Sequence, residues 1–216
     1  MMTTSNLQEV RKAAGREPSI GIIGAGNIGQ AIARALGRNG IAATLSNSRG
    51  PESLAETVAA IGPTIVAGTR EEAAAKDMVF VAVNWSKLPA ALSGLPNFTG
   101  RIVVDANNPI EAPLFKPAEL GGHTSSEIVS GMVPGARLIK AFNHLFPPLL
   151  AGDPGSEGGR RVLFYSGDDA QAKAELGALI DRLGFFGIDL GTLAVGARLV
   201  QFPGGPLPAL NLVKFD

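Results

Sequence analysis

The sequence predicts an α/β protein built on a doubly wound, mostly parallel β-sheet. Residues 20–23 form a short apolar run that leads into a glycine-rich turn and then into an amphipathic stretch from Asn27 to about Arg38. Beyond it, apolar segments of strand length alternate with segments of helical periodicity, a pattern that places parallel strands side by side with helices on both faces. A chain of 216 residues can form one domain with a sizeable core.

The glycine turn is the most specific of these signals. Gly24 permits a tight turn, Gly26 lets the backbone approach a pyrophosphate, and Gly29 lets the following helix pack closely on the strand. A helix N-terminus carries about half a positive charge, which favours a phosphate. We therefore predict a Rossmann-type dinucleotide site, with a purely structural turn as the alternative. The residues predicted to contact the dinucleotide are Gly24, Ala25, Gly26, Asn27, Ile28 and Gly29.

The end of the second predicted strand, residues 42–45, indicates which dinucleotide binds. NAD-binding proteins of this fold place an Asp or Glu about 20 residues past the first glycine. Residues 44–48 contain no acid, and Arg49 follows with a guanidinium suited to a phosphate. We predict that NADP(H) binds here through Ser46, Asn47, Ser48 and Arg49. A solvated surface arginine is the alternative.

The remaining elements follow in order. Helices are predicted at about 53–61, from 69 onwards, and at 85–92, 125–132 and 169–183; strands are predicted at 64–67, 78–83, 102–105, 137–142 and 162–166 and near 188. Two long connections, 106–122 and 146–159, are typical of binding loops. Prolines at 203, 206 and 208 interrupt the final segment. We expect a flexible leader over 1–18, an NADP-binding domain over 19–200 with a small C-terminal α/β extension, and a tail over 201–216.

Composition excludes several classes of function. Nineteen basic residues balance nineteen acidic ones, so nothing favours nucleic acid or an anionic membrane surface as a partner. Without cysteine, disulfides and thiolate chemistry are excluded, and the two histidines lack metal-ligand spacing, so we predict no metal. No apolar run reaches 18 residues, and residues 1–18 do not have the pattern of a signal peptide. We expect a cytoplasmic protein.

Several motifs resemble one known family. They are Gly24 to Gly29, Ser48-Arg49, Val83 with Trp85, Thr124 to Val129, Lys140 to Asn143, Ser166 to Asp169, and Gly191 through Leu199. Together they resemble the NADP oxidoreductases that use the deazaflavin coenzyme F-420, over about residues 19–200. The architecture is also similar to the cytosolic domain of six-transmembrane ferric reductases, in which NADPH reduces a flavin.

The resemblance implies hydride transfer between NADPH and a deazaflavin, or FMN or FAD, in a homodimer. It implies that Val83, Asn84 and Trp85 line the path to the nicotinamide, although Trp85 in a packing role is the alternative. It places the acceptor near three candidates, Asn143, His144 and Pro147. An apolar C-terminal stretch, residues 207–215, supports the dimer.

Two further residues are candidates because they lie where open α/β sheets bind ligands. Asn107 follows the strand at 102–105, where it shapes the nicotinamide end or, as the alternative, belongs to an Asx turn before Pro109. Lys140 lies at a strand end, either reaching the cofactor or extending to the surface. Few side chains suit acid–base chemistry, which agrees with a direct transfer between rings. An NADPH sensor without turnover, or a reductase of a ferric or quinone acceptor, are the alternatives.

Overall fold

The computed structural model describes residues 17–111 and 114–215, so most of the predicted leader lies outside the described residues. The strands are β1 Ile20–Ile23, β2 Ala43–Ser46, β3 Ile65–Ala67, β4 Met78–Val81, β5 Ile102–Asp105, β6 Ile110–Glu111, β7 Lys116–Pro117, β8 Arg137–Ala141, β9 Arg160–Gly167, β10 Phe186–Asp189 and β11 Val213–Lys214. The helices are α1 Asn27–Arg38, α2 Ala55–Ile61, α3 Arg70–Ala74, α4 Leu88–Leu92, α5 Ser125–Met132, α6 Pro147–Ala151, α7 Ala170–Arg182 and α8 Arg198–Val200. Two 3₁₀ turns, Pro51–Leu54 and Trp85–Lys87, and a π-helix, Leu193–Ala197, complete them.

The main sheet has the strand order β10-β9-β8-β5-β4-β1-β2-β3. From β8 to β3 every pairing is parallel, which confirms the predicted doubly wound, mostly parallel sheet. The order reverses beside β1, so the carboxyl ends of β1, β2 and β4 open into a crevice. In sheets of this kind, ligands bind in that crevice.

Both faces of the sheet are covered, as side-chain alternation along each strand requires. Ile22 faces a core formed with α1, α6 and α7, whereas its neighbour Ile23 faces a second core formed with α3, α4 and α5. A third, smaller cluster joins β9 to Val200 of α8. None of the helices in the described ranges is long and apolar enough to cross a membrane.

Several details differ from the sequence-based expectations, among them the helix α6 inside the connection predicted at 146–159. The strand predicted at 162–166 is longer in the structure, where it is β9. It runs antiparallel to β8 because, after α6, the chain enters β9 at the same edge of the sheet at which β8 ends. The predicted loop 106–122 contains the hairpin β6–β7. The strand predicted to reach residue 83 ends at Val81, because Gly24 turns its neighbour β1 away with a φ of 110°. Residues 83 and 84 therefore belong to the loop at the crevice.

The C-terminal segment packs on the same domain. Helix α8 ends at Val200, ahead of the proline-rich stretch, in agreement with the predicted break. The chain then returns to the sheet, where β11 pairs antiparallel with β9.

Candidate cofactor site

A cleft of about 640 Å³ lies over the carboxyl ends of β1, β2 and β4. Its walls are the glycine turn after β1, the loop after β2, the start of α3, the loop after β4 and one side of α4. Cofactor sites typically have volumes of about 300–1,000 Å³. The cleft thus has the size and position expected of a dinucleotide site.

The three glycines of the turn have different surroundings. A Cβ at Gly24 would lie 2.1 Å from the Ala82 carbonyl oxygen, and a Cβ at Gly29 would lie 1.9 Å from the Gly24 carbonyl oxygen. A Cβ at Gly26 would meet no protein atom within 4 Å. Packing therefore requires glycine at positions 24 and 29. Gly26 instead leaves open a space that a Cβ would fill.

The N-terminus of α1 opens onto that space. Gly26 is the N-cap, no side chain caps the helix, and its first turn contains no acid. The Gln30 side-chain amide donates to the Ala25 carbonyl at 2.9 Å and holds the turn in place. Asn27 is exposed and Ile28 is half-buried at the start of the helix, neither being among the cleft-lining residues. The uncapped amides and the positive end of the helix dipole form an anion site.

The loop after β2 brings four predicted residues to the cleft, and they do different things. Ser46 is buried, and its hydroxyl donates to the Ile22 carbonyl at 3.0 Å, so it joins β2 to β1. The Asn47 side chain accepts from the Arg49 amide at 2.9 Å and donates to Ser53 at 2.8 Å, which shapes the loop. Ser48 and Arg49 are exposed, and the described part of the chain provides no partner for the Arg49 guanidinium. Ser48 and Arg49 are thus the side chains available to a 2′-phosphate.

Three charged residues that line the cleft were not predicted from the sequence: Arg70, Glu71 and Lys87. Arg70 donates to the Ala90 carbonyl at 2.6 Å and pairs with Glu71 at 3.1 Å, so its guanidinium joins α3 to α4. The capping box that starts α3, formed by Thr69 and Glu72, was a sequence signal for a helix start at this edge of the sheet. It did not indicate that α3 would face the cofactor.

The charges along the cleft favour an anionic ligand. Among the described residues that line it, Arg49, Arg70 and Lys87 are cationic and Glu71 alone is acidic. Hydrogen bonding to its own backbone amide, and then to Arg70, lowers the pKa of the Glu71 carboxyl, so it is ionised at neutral pH. The excess of positive charge, the unfilled space at Gly26 and the absence of an acid after β2 fit NADP(H) with its pyrophosphate and 2′-phosphate.

The loop after β4 forms the other end of the cleft, where the nicotinamide is expected. Val83 and Asn84 line the cleft. Trp85 is half-buried and packs against the core on the α3–α5 face, which is the packing role given above as the alternative to a place near the nicotinamide. Asn107 is buried outside the cleft, and its side-chain oxygen accepts from the Val83 amide at 2.8 Å. Asn107 therefore holds the cleft wall from behind.

Lys140 lies neither in the cleft nor at the surface, so both expectations for it are wrong. Its side chain is fully buried, and its ammonium pairs with Asp105 at 3.0 Å. The strand register explains this, because Asp105 and Lys140 are direct neighbours on β5 and β8. Burial lowers the pKa of the Lys140 ammonium, and the Asp105 carboxylate opposes that change.

The three acceptor candidates lie beyond β8, two strands away from β4 or about 10 Å along the sheet. The Asn143 amide donates to the Asn108 side chain at 2.9 Å and to the Val200 carbonyl at 2.7 Å. Pro147 is half-buried in the first turn of α6. None of the three candidates lines the cleft.

His144 is enclosed rather than facing a ligand. It is 2% exposed and its ring centroid lies 5.0 Å from that of Phe164. Burial lowers its pKa to about 4, against a smaller raising effect of the Val162 backbone. Neither ring nitrogen reaches hydrogen-bond geometry with any described residue. His144 is therefore neutral at pH 7 and packs as an apolar ring.

Comparison with known proteins places the chain among NADP-dependent reductases. Residues 19–109 match the family described as NADP oxidoreductase, coenzyme F420-dependent. A solved structure from Arthrobacter sp. FB24, described as an F420-dependent NADP-reductase, is 30% identical, with a TM-score of 0.69 over 82% of this chain and 86% of that one.

Two further relatives extend the likeness. A hypothetical protein from Sinorhizobium meliloti, SMa0349, is 42% identical, with a TM-score of 0.86 over 95% of this chain and 99% of that one. The rat metalloreductase STEAP3 is 28% identical over 94% of this chain, which spans only 39% of that protein's length. The chain belongs to the coenzyme F420-dependent NADP oxidoreductase family and is an NADP-dependent oxidoreductase.

Proposed function

We propose that the chain exchanges a hydride between NADP(H) and a flat-ringed acceptor of the deazaflavin or flavin type. When bound, NADPH supplies the hydride from its nicotinamide ring. Among the described residues that line the cleft, the titratable side chains are Arg49, Arg70, Glu71 and Lys87, and none is a histidine, tyrosine or cysteine. Reduction of a carbonyl or an imine needs a positioned proton donor, whereas transfer between stacked rings needs chiefly orientation and exclusion of water. The lack of a histidine or tyrosine among these described cleft residues is the observation that carries the proposal.

Two buried titratable groups further along the sheet, His144 and Lys140, are not placed to act as donors. His144 is neutral and enclosed, and Lys140 is fully buried in its pair with Asp105. Neither lines the cleft, so neither is placed to protonate an acceptor. The protein binds and orients the cofactor through the α1 N-terminus, Arg49 and the Val83 loop.

The test measures NADPH oxidation without oxygen, offering the deazaflavin coenzyme, FMN, a quinone and a ferric chelate in turn. NADPH deuterated at the transferable position should deliver its label to the deazaflavin ring. With the deazaflavin, kcat should stay flat between about pH 6 and 8, because the described residues that line the cleft include no histidine. Oxidation by the ferric chelate or quinone alone, or a carbonyl substrate reduced faster than any ring acceptor, would refute the proposal.

We also propose that the chain forms a homodimer. Phe202, Leu212 and Phe215 are large apolar side chains that are 41%, 41% and 62% exposed. Such side chains, brought together by one C-terminal segment, are typical of a surface that a partner covers. Light scattering of the wild-type protein should give twice the monomer mass, and Leu212→Glu should lower the measured mass to that of a monomer. A monomeric wild-type protein would contradict the dimer.

A further inference from the structure

A buried polar network connects the middle of the sheet to the nicotinamide end of the cleft. Its base is the ion pair of Asp105 and Lys140, with both side chains fully buried. The Lys140 ammonium also donates to the Asn107 carbonyl, and the Ser126 hydroxyl donates to Asp105 at 3.1 Å. Lone pairs and protons on both ions are thus occupied within the fold.

The network reaches the cleft in two steps. One carboxylate oxygen of Asp105 accepts from the Asn107 backbone amide at 3.0 Å and from its side-chain amide at 2.8 Å. The Asn107 side-chain oxygen then accepts from the Val83 amide at 2.8 Å. Val83 in turn packs against the glycine turn, because a Cβ on Gly24 would lie 2.8 Å from its Cγ1.

The charge of Asp105 determines how Asn107 is oriented. An ionised carboxylate only accepts hydrogen bonds, so the NH₂ end of the Asn107 amide must face it and the oxygen must face Val83. Lys140 pairs with that carboxylate at 3.0 Å and so compensates its charge in a fully buried place. Buried ion pairs add little net stability compared with apolar pairs, but they can impose a defined geometry.

We propose that Asp105 and Lys140 are positioning residues for the nicotinamide half of NADP(H), acting through Asn107 on the Val83 peptide. Neither residue touches the ligand. Their effect is to hold one wall of the cleft at the distance at which the nicotinamide packs against Val83. The inference rests on the NADP(H) half of the proposed function and is independent of which acceptor is reduced.

The test compares two ligands, because only one of them reaches Val83. NADP⁺ occupies the whole cleft, whereas 2′,5′-ADP occupies the adenine end alone. Asn107→Leu removes the acceptor for the Val83 amide with little change in volume. It should weaken NADP⁺ by about five- to tenfold, the effect of one hydrogen bond, and leave 2′,5′-ADP within about twofold.

A double variant tests the ion pair itself. Asp105→Asn with Lys140→Met removes both charges at nearly constant volume, so it avoids leaving one charge unpaired. It should weaken NADP⁺ selectively, as Asn107→Leu does. Hydrogen exchange of the ligand-free protein should show the Val83 amide exchanging faster in both variants. This second measurement requires neither cofactor nor turnover.

Ser166→Ala is the matched control. Ser166 is fully buried on β9, opposite Lys140 in the strand register, and its hydroxyl has no partner among the described residues. Its removal should change neither ligand affinity nor Val83 exchange.

Equal losses for NADP⁺ and 2′,5′-ADP, or unchanged Val83 exchange in Asn107→Leu, would overturn the proposal. If the double variant does not fold, Asn107→Leu alone decides, and a failure of the acceptor assay leaves these binding results unaffected.

Discussion

Replacing Gly26 and Gly29 one at a time by alanine separates cofactor binding from folding. At Gly26 the backbone has a φ of −78°, which any residue can adopt, and a Cβ would meet no protein atom within 4 Å. Gly26→Ala should therefore fold normally and even gain about 0.4–1 kcal/mol, because alanine restricts the unfolded chain. At Gly29 the added Cβ would lie 1.9 Å from the Gly24 carbonyl oxygen.

The two variants should consequently behave in opposite ways. Gly29→Ala forces α1 away from the turn, an overpacking that typically destabilises by about 1–3 kcal/mol. For a chain of this size, this lowers Tm by about 2–4 °C per kcal/mol. Gly26→Ala leaves Tm unchanged or higher, but its methyl group enters the space in front of the α1 N-terminus. Loss of one charge-assisted hydrogen bond to a phosphate weakens NADPH by about 10- to 150-fold.

Thermal unfolding without ligand, followed by titration with NADPH, measures both quantities on the same samples. The expected pattern is weak binding with normal stability for Gly26→Ala and reduced stability for Gly29→Ala. Wild-type affinity in Gly26→Ala would show that the pyrophosphate does not bind at the α1 N-terminus. A normal Tm in Gly29→Ala would show that the contact with the Gly24 carbonyl is not tight.

Three other perturbations have defined outcomes. Arg49→Ala should weaken NADPH by about 10- to 150-fold and leave NADH almost unchanged in parallel titrations, and equal losses would argue against a 2′-phosphate contact. Lys140→Met alone should destabilise the fold by about 3–5 kcal/mol in urea unfolding, because it leaves Asp105 buried and unpaired; a smaller loss would mean that water reaches Asp105. His144 has a folded pKa of about 4, below its unfolded value of 6.5, so the unfolded state binds the extra proton. Stability should be fully present above pH 6.5 and fall by about 3 kcal/mol as the pH drops to 4, and His144→Leu should remove that dependence.

The parts of the fold that were predicted from sequence are those controlled by local patterns. The bounds of β1, α1, β5 and α5 match the structure, because apolar runs, glycine and capping residues act within a few positions. The antiparallel β9 and the hairpin β6–β7 were not predicted. Their pairing depends on where the chain re-enters the sheet, which no short pattern encodes.

Site residues also divide into those whose position depends on the local sequence and those whose position depends on contacts with distant parts of the chain. The position of Ser48 and Arg49 at the cleft could be predicted because both lie in one exposed loop after a recognisable strand. Asn47 lines the cleft as predicted, and a role in shaping the loop was not predicted, because its side chain meets Ser53 six positions later. Arg70 was missed because its place at the cleft depends on how α3 packs beside α4.

The two ends of the cofactor are recognised by different kinds of group, and this explains what the sequence can reveal. At the adenine end, the specificity that we predict rests on the Arg49 side chain in the cleft lining, whose chemistry can be inferred from the residue type. At the nicotinamide end, the position of the wall depends on the Val83 backbone amide, whose partner Asn107 is 24 positions away. A backbone amide is common to every residue except proline, so its function depends on what orients it. The choice of NADP is therefore visible in the sequence, whereas control of the hydride-transferring end requires the three-dimensional structure.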